Sequence, residues 1–597
     1  MKAEEKILSA IADIIKETFG AEAPASAMML QKTRKEFEGD FSFVVFPFVK
    51  IARRSPEQTA DIIGNAVLSR VPEIGSFNVI KGYLNLSLSP QYWLDFLRNE
   101  MNNPAYGLKS WDGGATVVVE YSSPNTNKPL HLGHIRNNLL GYSVARILEA
   151  AGKKVAKVNL VNDRGIHICK SMLAWMKYGK GETPETTGKK GDKLVGDFYV
   201  RFETELRSQV KEMMLANGIN EEEARKTAPL MLEAQELLRK WELRDPEAIS
   251  IWEKMNGWVY EGFDATYKRL GVDFDKIYYE SDTYLLGKEL VNEGLEKAVF
   301  KKKADGSVWV DLSADGLDEK LLLRSDGTSV YITQDLGTAQ LRYDDFNAEK
   351  MIYVVGNEQN YHFEVLKKVL KKLEKPYADS VYHLSYGMVE LPEGKMKSRE
   401  GTVVDADDLM DEMIETARST TEELGKTHDF NEQDKARLFH IIGLGALKYF
   451  ILKVDPKKNM LFNPAESIDF NGNTGSFIQY THARIRSILR SAGLDQVARV
   501  QLHMPSVKMN IRERNLLRSL YEFPEIVKEA ANELSPAQIA NYSYELCKEY
   551  NQFYHEHSVL NEPDVQVSDF RIKLSEFTAQ TIKNAMSLLG IEVPERM

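Results

Sequence analysis

Cysteine is nearly missing, with Cys169 and Cys547 the only two in 597 residues. They stand far apart, which argues against a disulfide framework, for a reducing compartment, and against any Cys-rich zinc spacing. Long apolar runs are missing too: no stretch approaches the ~20 residues that cross a bilayer. The opening residues Met1-Lys2-Ala3-Glu4-Glu5-Lys6 lack an apolar targeting core and begin an amphipathic helix through Ile7, Ile11, Ile14 and Ile15, so a cytoplasmic protein is expected. Basic charge is in deficit, 77 Lys and Arg against 88 Asp and Glu, for a net charge of -11. No internal repeat or low-complexity tract is visible. What is present is a globular composition, 43% hydrophobic and 28% charged, on a chain too long for one core and suited to about three or four domains.

The most informative stretch runs from Val117 to Arg136. Thr116 to Tyr121 is the short β-branched apolar run of a buried parallel strand. Ile135, Leu139, Val144, Ile147, Leu148 and Ala151 then recur at helical spacing up to Gly152, and a second strand is expected over Val155 to Val161. This βαβ unit places His131 and His134 beyond the carboxyl end of a strand, where open parallel sheets bind ligands. Three residues apart in the first turn of a helix, both rings can face one side, and Gly133 lets a flat ring approach the backbone. A phosphate over the helix N-terminus would meet free amides and a neutral imidazole donor. Metal ligation or two surface histidines is the plainer alternative, but no Cys-rich spacing or helically offset carboxylate completes a ligand set.

His131-Leu-Gly-His134 resembles the HIGH signature of class I aminoacyl-tRNA synthetases. Their second signature, a KMSKS-type loop, is matched far downstream by Gly394-Lys395-Met396-Lys397-Ser398-Arg399-Glu400-Gly401. Such a loop brings cations to a triphosphate as charge builds on the leaving pyrophosphate. Within the class, four stretches are similar to arginyl-tRNA synthetases: Glu120 to His131, Asp326 to Gly337 (a pocket strand), Tyr353 to Phe363, and Gly475 to Arg484. Ser398 stands where the class has the second lysine of its loop. Arginyl enzymes without that lysine resemble one another in carrying one just before the first signature, the place of Lys128, although Lys397 could substitute locally.

The resemblance implies an arginine-tRNA ligase that joins L-arginine to ATP as arginyl-adenylate, releases diphosphate, and transfers arginine to the terminal adenosine of tRNA(Arg), giving AMP. His131, His134, Lys128 and Lys395 would be catalytic, with Gly133, Met396 and Ser398 added in the ATP site. Arginine would meet Glu120 and Asn125 at its α-amino end, Asp335 and Tyr331 at its guanidinium, and Gln359. Tyr331 and Asp335, four apart, share a face if a helix begins at Ile332. A buried carboxylate is costly without a cation, a physical reason for Glu120 to await a ligand. Mg2+ would arrive with ATP rather than on a dedicated protein site, and a monomer is expected. A nucleotidyltransferase acting on small molecules shares the His-x-Gly-His turn but has no use for a long helical C-terminal region. A non-catalytic tRNA-binding paralogue would usually lose one signature.

The expected architecture is α/β and multidomain: an N-terminal α/β module over 1–111, a Rossmann-type parallel-sheet catalytic domain over 112–404, a connecting helical segment over 405–470, and an all-α anticodon-binding domain over 471–597. An insertion at about 179–260 interrupts the sheet domain, with a polar loop from Gly179 to Lys193 and a charged helix from Glu221 to Lys240. It is too small for the editing domains of isoleucyl and valyl enzymes. Phe37 to Ser42 and Gly82 to Asn85 resemble the arginyl module that contacts the tRNA elbow, with Asn85 as a contact; a dimerisation module is the alternative. Basic residues gather at Lys153-Lys154 with Lys157, at Lys367 to Lys372, and at Arg484, Arg486 and Arg490. In the last group Tyr480 and Arg484 would stack on anticodon bases. Ser535-Pro536 reads as a helix start, and Leu574, Phe577, Thr581, Ala585 and Leu588 as a final apolar stripe closed by Gly590.

Overall fold

The computed structural model describes residues 3–34, 36–390, 404–425, 430–493 and 508–597. Near the N-terminus, strands β1 (Leu30–Lys32), β2 (Phe41–Val44), β3 (Ile74–Ile80) and β4 (Tyr83–Leu88) form an antiparallel sheet in the order β1-β2-β4-β3. Helix Ala3–Phe19 buries Ile7, Ile11, Ile14 and Ile15 as the amphipathic pattern requires. Helix Pro56–Arg70, started by a Ser55–Gln58 capping box, packs on β3 and β4.

The central sheet is parallel throughout. Its strands β5 (Thr116–Glu120), β6 (Lys154–Val161), β7 (Lys276–Tyr279), β11 (Lys350–Gly356) and β12 (Val381–Tyr386) lie in the order β12-β11-β5-β6-β7. The chain runs outward from β5 to β7 and returns on the other side as β11, so the strand order reverses between β5 and β11, where such sheets bind ligands. Strands β8 (Phe300–Lys302), β9 (Val308–Val310) and β10 (Lys320–Leu323) form a small antiparallel sheet between β7 and β11.

Every residue of β5 is buried, and the period of two divides them between the faces. Val117 and Val119 pack toward α1 (Leu132–Ala150). Val118 belongs to the opposite core with Ile332 and Leu336. Glu120, two residues on, therefore faces the same side as Val118. Beyond β5 the chain turns through Ser122 and Ser123 at φ 79° and 46°, a left-handed pair that costs about 1–3 kcal/mol per residue. The Asn137 and Asn159 side-chain carbonyls accept the Ser122 and Ser123 amides at 2.6 and 3.0 Å and hold the turn.

The insertion is more helical than its composition suggests. The expected loop from Gly179 contains a short turn of helix at Pro184–Thr187 and gives way at Gly191 to α2 (Gly191–Asn217). The expected single charged helix is two, Glu221–Thr227 and Pro229–Glu242, because Pro229 has no amide hydrogen and holds Ala228 out of the helical region. A long helix, α3 (Pro246–Leu270), returns to β7. The segment read as a pocket strand is α4 (Tyr331–Phe346), followed after β11 by α5 (Asn360–Lys372).

From α6 (Ala406–Glu423) onward the chain is mainly helical, with α7 (Gly475–Ser491), α8 (Pro536–Glu556) and α9 (Val565–Leu588) packed in the C-terminal bundle. Short strands β13 (Val389–Glu390) and β14 (Met460–Leu461) pair in parallel. Ser535 is at the start of α8 with Pro536 at its first position, yet the Ser535 side chain makes no capping bond. The final stripe is buried and Gly590 turns at φ 65°. No helix among the described residues is long and apolar enough to cross a membrane.

Candidate active site

His131 is the N-cap of α1 and His134 its third residue, and together they form a capping box in imidazole. The Gly133 amide donates to His131 Nδ1 at 3.1 Å, and the His131 amide donates to His134 Nδ1 at 3.2 Å. An Nδ1 that accepts carries no proton in a neutral ring, so the proton of both histidines sits on Nε2. The rings lie 4.0 Å apart between centroids. Burial, helped by nearby Lys128, pushes His131 down to about 3. Burial, then His131 and Lys128, holds His134 well below the imidazole range. Both are therefore neutral donors at physiological pH, above a helix N-terminus that favours an anion. A Cβ at Gly133 would lie 2.9 Å from His131 Cε1, so a side chain there would displace the ring.

Lys128 lies beside this pair, half-buried, with no counter-charge among the described residues; burial alone lowers its pKa. The insertion helps to enclose it. A Cβ at Gly196 of α2 would come within 2.8 Å of Pro129 Cδ. Lys395, Met396, Lys397 and Ser398 lie outside the described residues, but the chain on either side of that loop is tied to the first signature. The Leu132 amide donates to Val404 O at 3.2 Å and the Ala406 amide to Leu130 O at 2.9 Å. Arg136, buried in α1, donates to the carbonyls of Met388, Pro456 and Lys458 at 3.1, 3.2 and 2.7 Å. Arg136 was not legible as a functional position, since the carbonyls it holds are distant in sequence.

Across the carboxyl edge lies an acid-rich cluster of side chains. Glu120 is not waiting for a ligand alone: Arg342 of α4 meets it at 2.6 Å, and Ser123 Oγ donates to its other oxygen at 3.0 Å. Burial raises the Glu120 carboxyl and Arg342 opposes it. The pair is ionised, because a guanidinium keeps its proton and, buried, needs a counter-charge. Tyr353 and Tyr278 flank Arg342, with its Cζ at 5.0 and 5.6 Å from their ring centroids. Asp335 lies one turn after Tyr331 on α4, the helix starting one residue before Ile332. Asp335 meets His362 Nε2 at 2.5 Å, while Tyr331 is 80% exposed at the start of α4. Asn125 and Gln359 are exposed beyond β5 and β11.

Glu280 is a further carboxylate of this cluster that sequence reasoning missed, although it follows β7 much as Glu120 closes β5. Burial raises its pKa, Arg164 opposes, and Asp163 and Asp335 add to the rise. Gln334 donates to it at 3.2 Å and Arg164 stands 3.9 Å away. Asp163 is committed elsewhere, accepting from Ser281 and Tyr260. Carboxylates thus outnumber guanidinium groups here, which suits one incoming cation. Among the described residues no group of three or more His, Cys, Asp or Glu could hold a metal ion.

The expected tRNA contacts fare differently. Asn85 is buried within the N-terminal sheet, accepting from Ser42 at 2.5 Å and donating to Asn78 at 2.9 Å. Tyr480 and Arg484 line a cleft of about 1090 Å³ with Arg437, Arg490 and Lys583. The Arg484 guanidinium lies 4.8 Å from the Tyr480 ring centre and donates to Asn551 at 2.9 Å. The other basic groups are largely paired: Lys367 and Lys371 with Asp379, Lys368 and Lys372 with Asp315, Lys153 with Glu349, and Lys157 with Asp273.

Comparison with known proteins identifies the family. The family model described as tRNA synthetases class I (R), catalytic domain, matches residues 101–463, and that of the DALR anticodon binding domain matches 478–597. An arginine-tRNA ligase of Parabacteroides distasonis is 58% identical with 100% of both chains covered, and one of Bacteroides fragilis is 57% identical over the same share. The solved arginyl-tRNA synthetase of Thermus thermophilus superposes with a TM-score of 0.79 at 26% identity, covering 100% of both chains. That of Plasmodium falciparum, at 20% identity and TM-score 0.76 over 99% of each, shares the fold. The chain belongs to the class I arginyl-tRNA synthetases, the ATP-dependent arginine-tRNA ligases.

Proposed function

We propose that the ligase reaction runs across the edge between β5 and β11, with arginine in the acid-rich pocket and the ATP phosphates over the N-terminus of α1. A carboxylate oxygen of arginine attacks the α-phosphorus, a P–O bond forms, and the bond to diphosphate breaks. His131 and His134 donate from Nε2 to the phosphate oxygens as charge spreads over them. Lys128, with Lys395 of the second signature, meets the pyrophosphate. Asp335 and Glu280 receive the guanidinium beside Tyr331. Glu120, held by Arg342, faces the α-amino end with Asn125 and Gln359. A hydroxyl of the terminal tRNA adenosine then attacks the arginyl carbonyl and AMP leaves. Tyr480 and Arg484 meet the anticodon from the C-terminal cleft. Mg2+ would accompany ATP and supply counter-charge to its phosphates rather than occupy a dedicated protein site, and the enzyme works as a cytoplasmic monomer.

The observation that carries this reading is the tautomer of the two histidines: their Nδ1 atoms are spent on the backbone, leaving two uncharged Nε2 donors at a helix N-terminus. Lys128 provides the test. With tRNA present, Lys128→Met is expected to slow arginine-dependent pyrophosphate exchange ~10²-fold with little change in Tm, since a cation facing charge that develops on the leaving group acts mainly in the transition state. Exchange within twofold of the parent would remove Lys128 from the phosphate site.

A further inference from the structure

We propose that His362 is a stand-in cation for the substrate: in the empty pocket its imidazolium holds Asp335, and the arriving guanidinium takes Asp335 while the imidazole proton leaves to solvent. The inference rests on Asp335 as guanidinium acceptor, as read above. His362 is in the first turn of α5 and Asp335 in the second turn of α4, joined at 2.5 Å across the contact of the two helices. Both side chains are partly open, at 23% and 31% exposure, so a ligand can reach the bond. The ring is held edge-on by Phe363 at 5.7 Å, and Phe363 stacks on His383 at 4.3 Å.

Asp335 is the charged group facing His362 from α4. From β12, His383 stands behind Phe363, its own pKa lowered by burial and then by His362 despite a bond to Val355 O. Asp335 also bears electrostatically on Glu120 of β5, Arg342 of α4 and Glu280 after β7. Burial works against charge on His362, but the bond and charge of Asp335 prevail and raise its pKa above the ordinary imidazole value. Exchanging imidazolium for guanidinium leaves the local charge unchanged, so Asp335 is never left without a cation. A neutral amino-acid side chain has no means to displace His362, which makes the exchange a specificity device as well as a store for the pocket's charge.

The sign follows from competition. Where His362 is charged in the free enzyme, binding arginine expels a proton, and the apparent affinity weakens as pH falls through the raised pKa. Calorimetric titration of the full chain with L-arginine, in buffers of different ionisation enthalpy across roughly pH 6 to 9, should show release of up to about one proton. Affinity should fall by at most about tenfold per pH unit on the acid side. His362→Gln, which keeps a neutral donor for Asp335, should still bind arginine but release no proton and show a flat profile. Asp335→Asn is the arm that separates the two claims. If it loses arginine and the parent releases no proton at any pH, the role of His362 is overturned while the pocket reading stands. If Asp335→Asn binds arginine as the parent does, the pocket reading and the exchange both fall.

Discussion

Alanine at Asp335 is expected to lower kcat/KM for arginine by ~10³-fold or more, about 4 kcal/mol, with most of the loss in KM. The guanidinium would enter a partly desolvated pocket and find Glu120 already committed to Arg342 at 2.6 Å and Glu280 shared with Arg164 and Gln334. Removing one partner of a desolvated charge pair leaves the other uncompensated, at 3–5 kcal/mol. His362 would lose its partner as well and return toward neutrality. The fold should survive, because Asp335 is partly open and contributes no apolar core. Arginine kinetics in pyrophosphate exchange provide the measurement; a loss of less than tenfold would move the guanidinium to Glu280 or elsewhere.

Alanine at His134 is expected to act on kcat, lowering it ~10²-fold or more at saturating arginine and ATP. Two things disappear: an Nε2 donor to the reacting phosphate and the Nδ1 acceptor for the His131 amide. The second is a helix cap worth about 1 kcal/mol. His134→Gln separates them, since glutamine at the third helical position is an ordinary capping-box residue. The Gln variant should keep the parent Tm and still lose turnover, whereas the Ala variant should lose both. Turnover that tracks Tm alone in the two variants would reduce His134 to a structural cap. Because both histidines are already neutral, kcat should show no step near pH 6.5 from either ring, while His362, raised by Asp335, should place its step in kcat/KM for arginine above the ordinary imidazole value.

The βαβ unit was legible because its signals are local: a five-residue strand buried on both faces, a polar turn, and an apolar helical stripe. So were the histidine pair and the helical C-terminal bundle. The insertion was harder, since the glycine- and lysine-rich stretch holds one short helical turn and runs at Gly191 into α2, whose buried apolar residues start at Leu194, and Pro229 divides a helix that charge spacing alone makes continuous. Partnerships were not legible. Arg342 neutralises Glu120, His362 caps Asp335, and Arg136 gathers three carbonyls, each contact set by tertiary packing between segments far apart in the chain. The partners of Asn85 were no more legible: it joins Ser42 of β2 and Asn78 of β3 from its own place in β4. Glu280 was recoverable, since an acid closing an apolar strand is the signal that singled out Glu120.

The most direct test of the account is aminoacylation of total tRNA with ATP and each standard amino acid in turn, by the parent chain and by Asp335→Ala. The account predicts charging by arginine alone in the parent, and its loss in the variant with no other amino acid gained. Charging by a different amino acid, or undiminished arginine charging without Asp335, would contradict it.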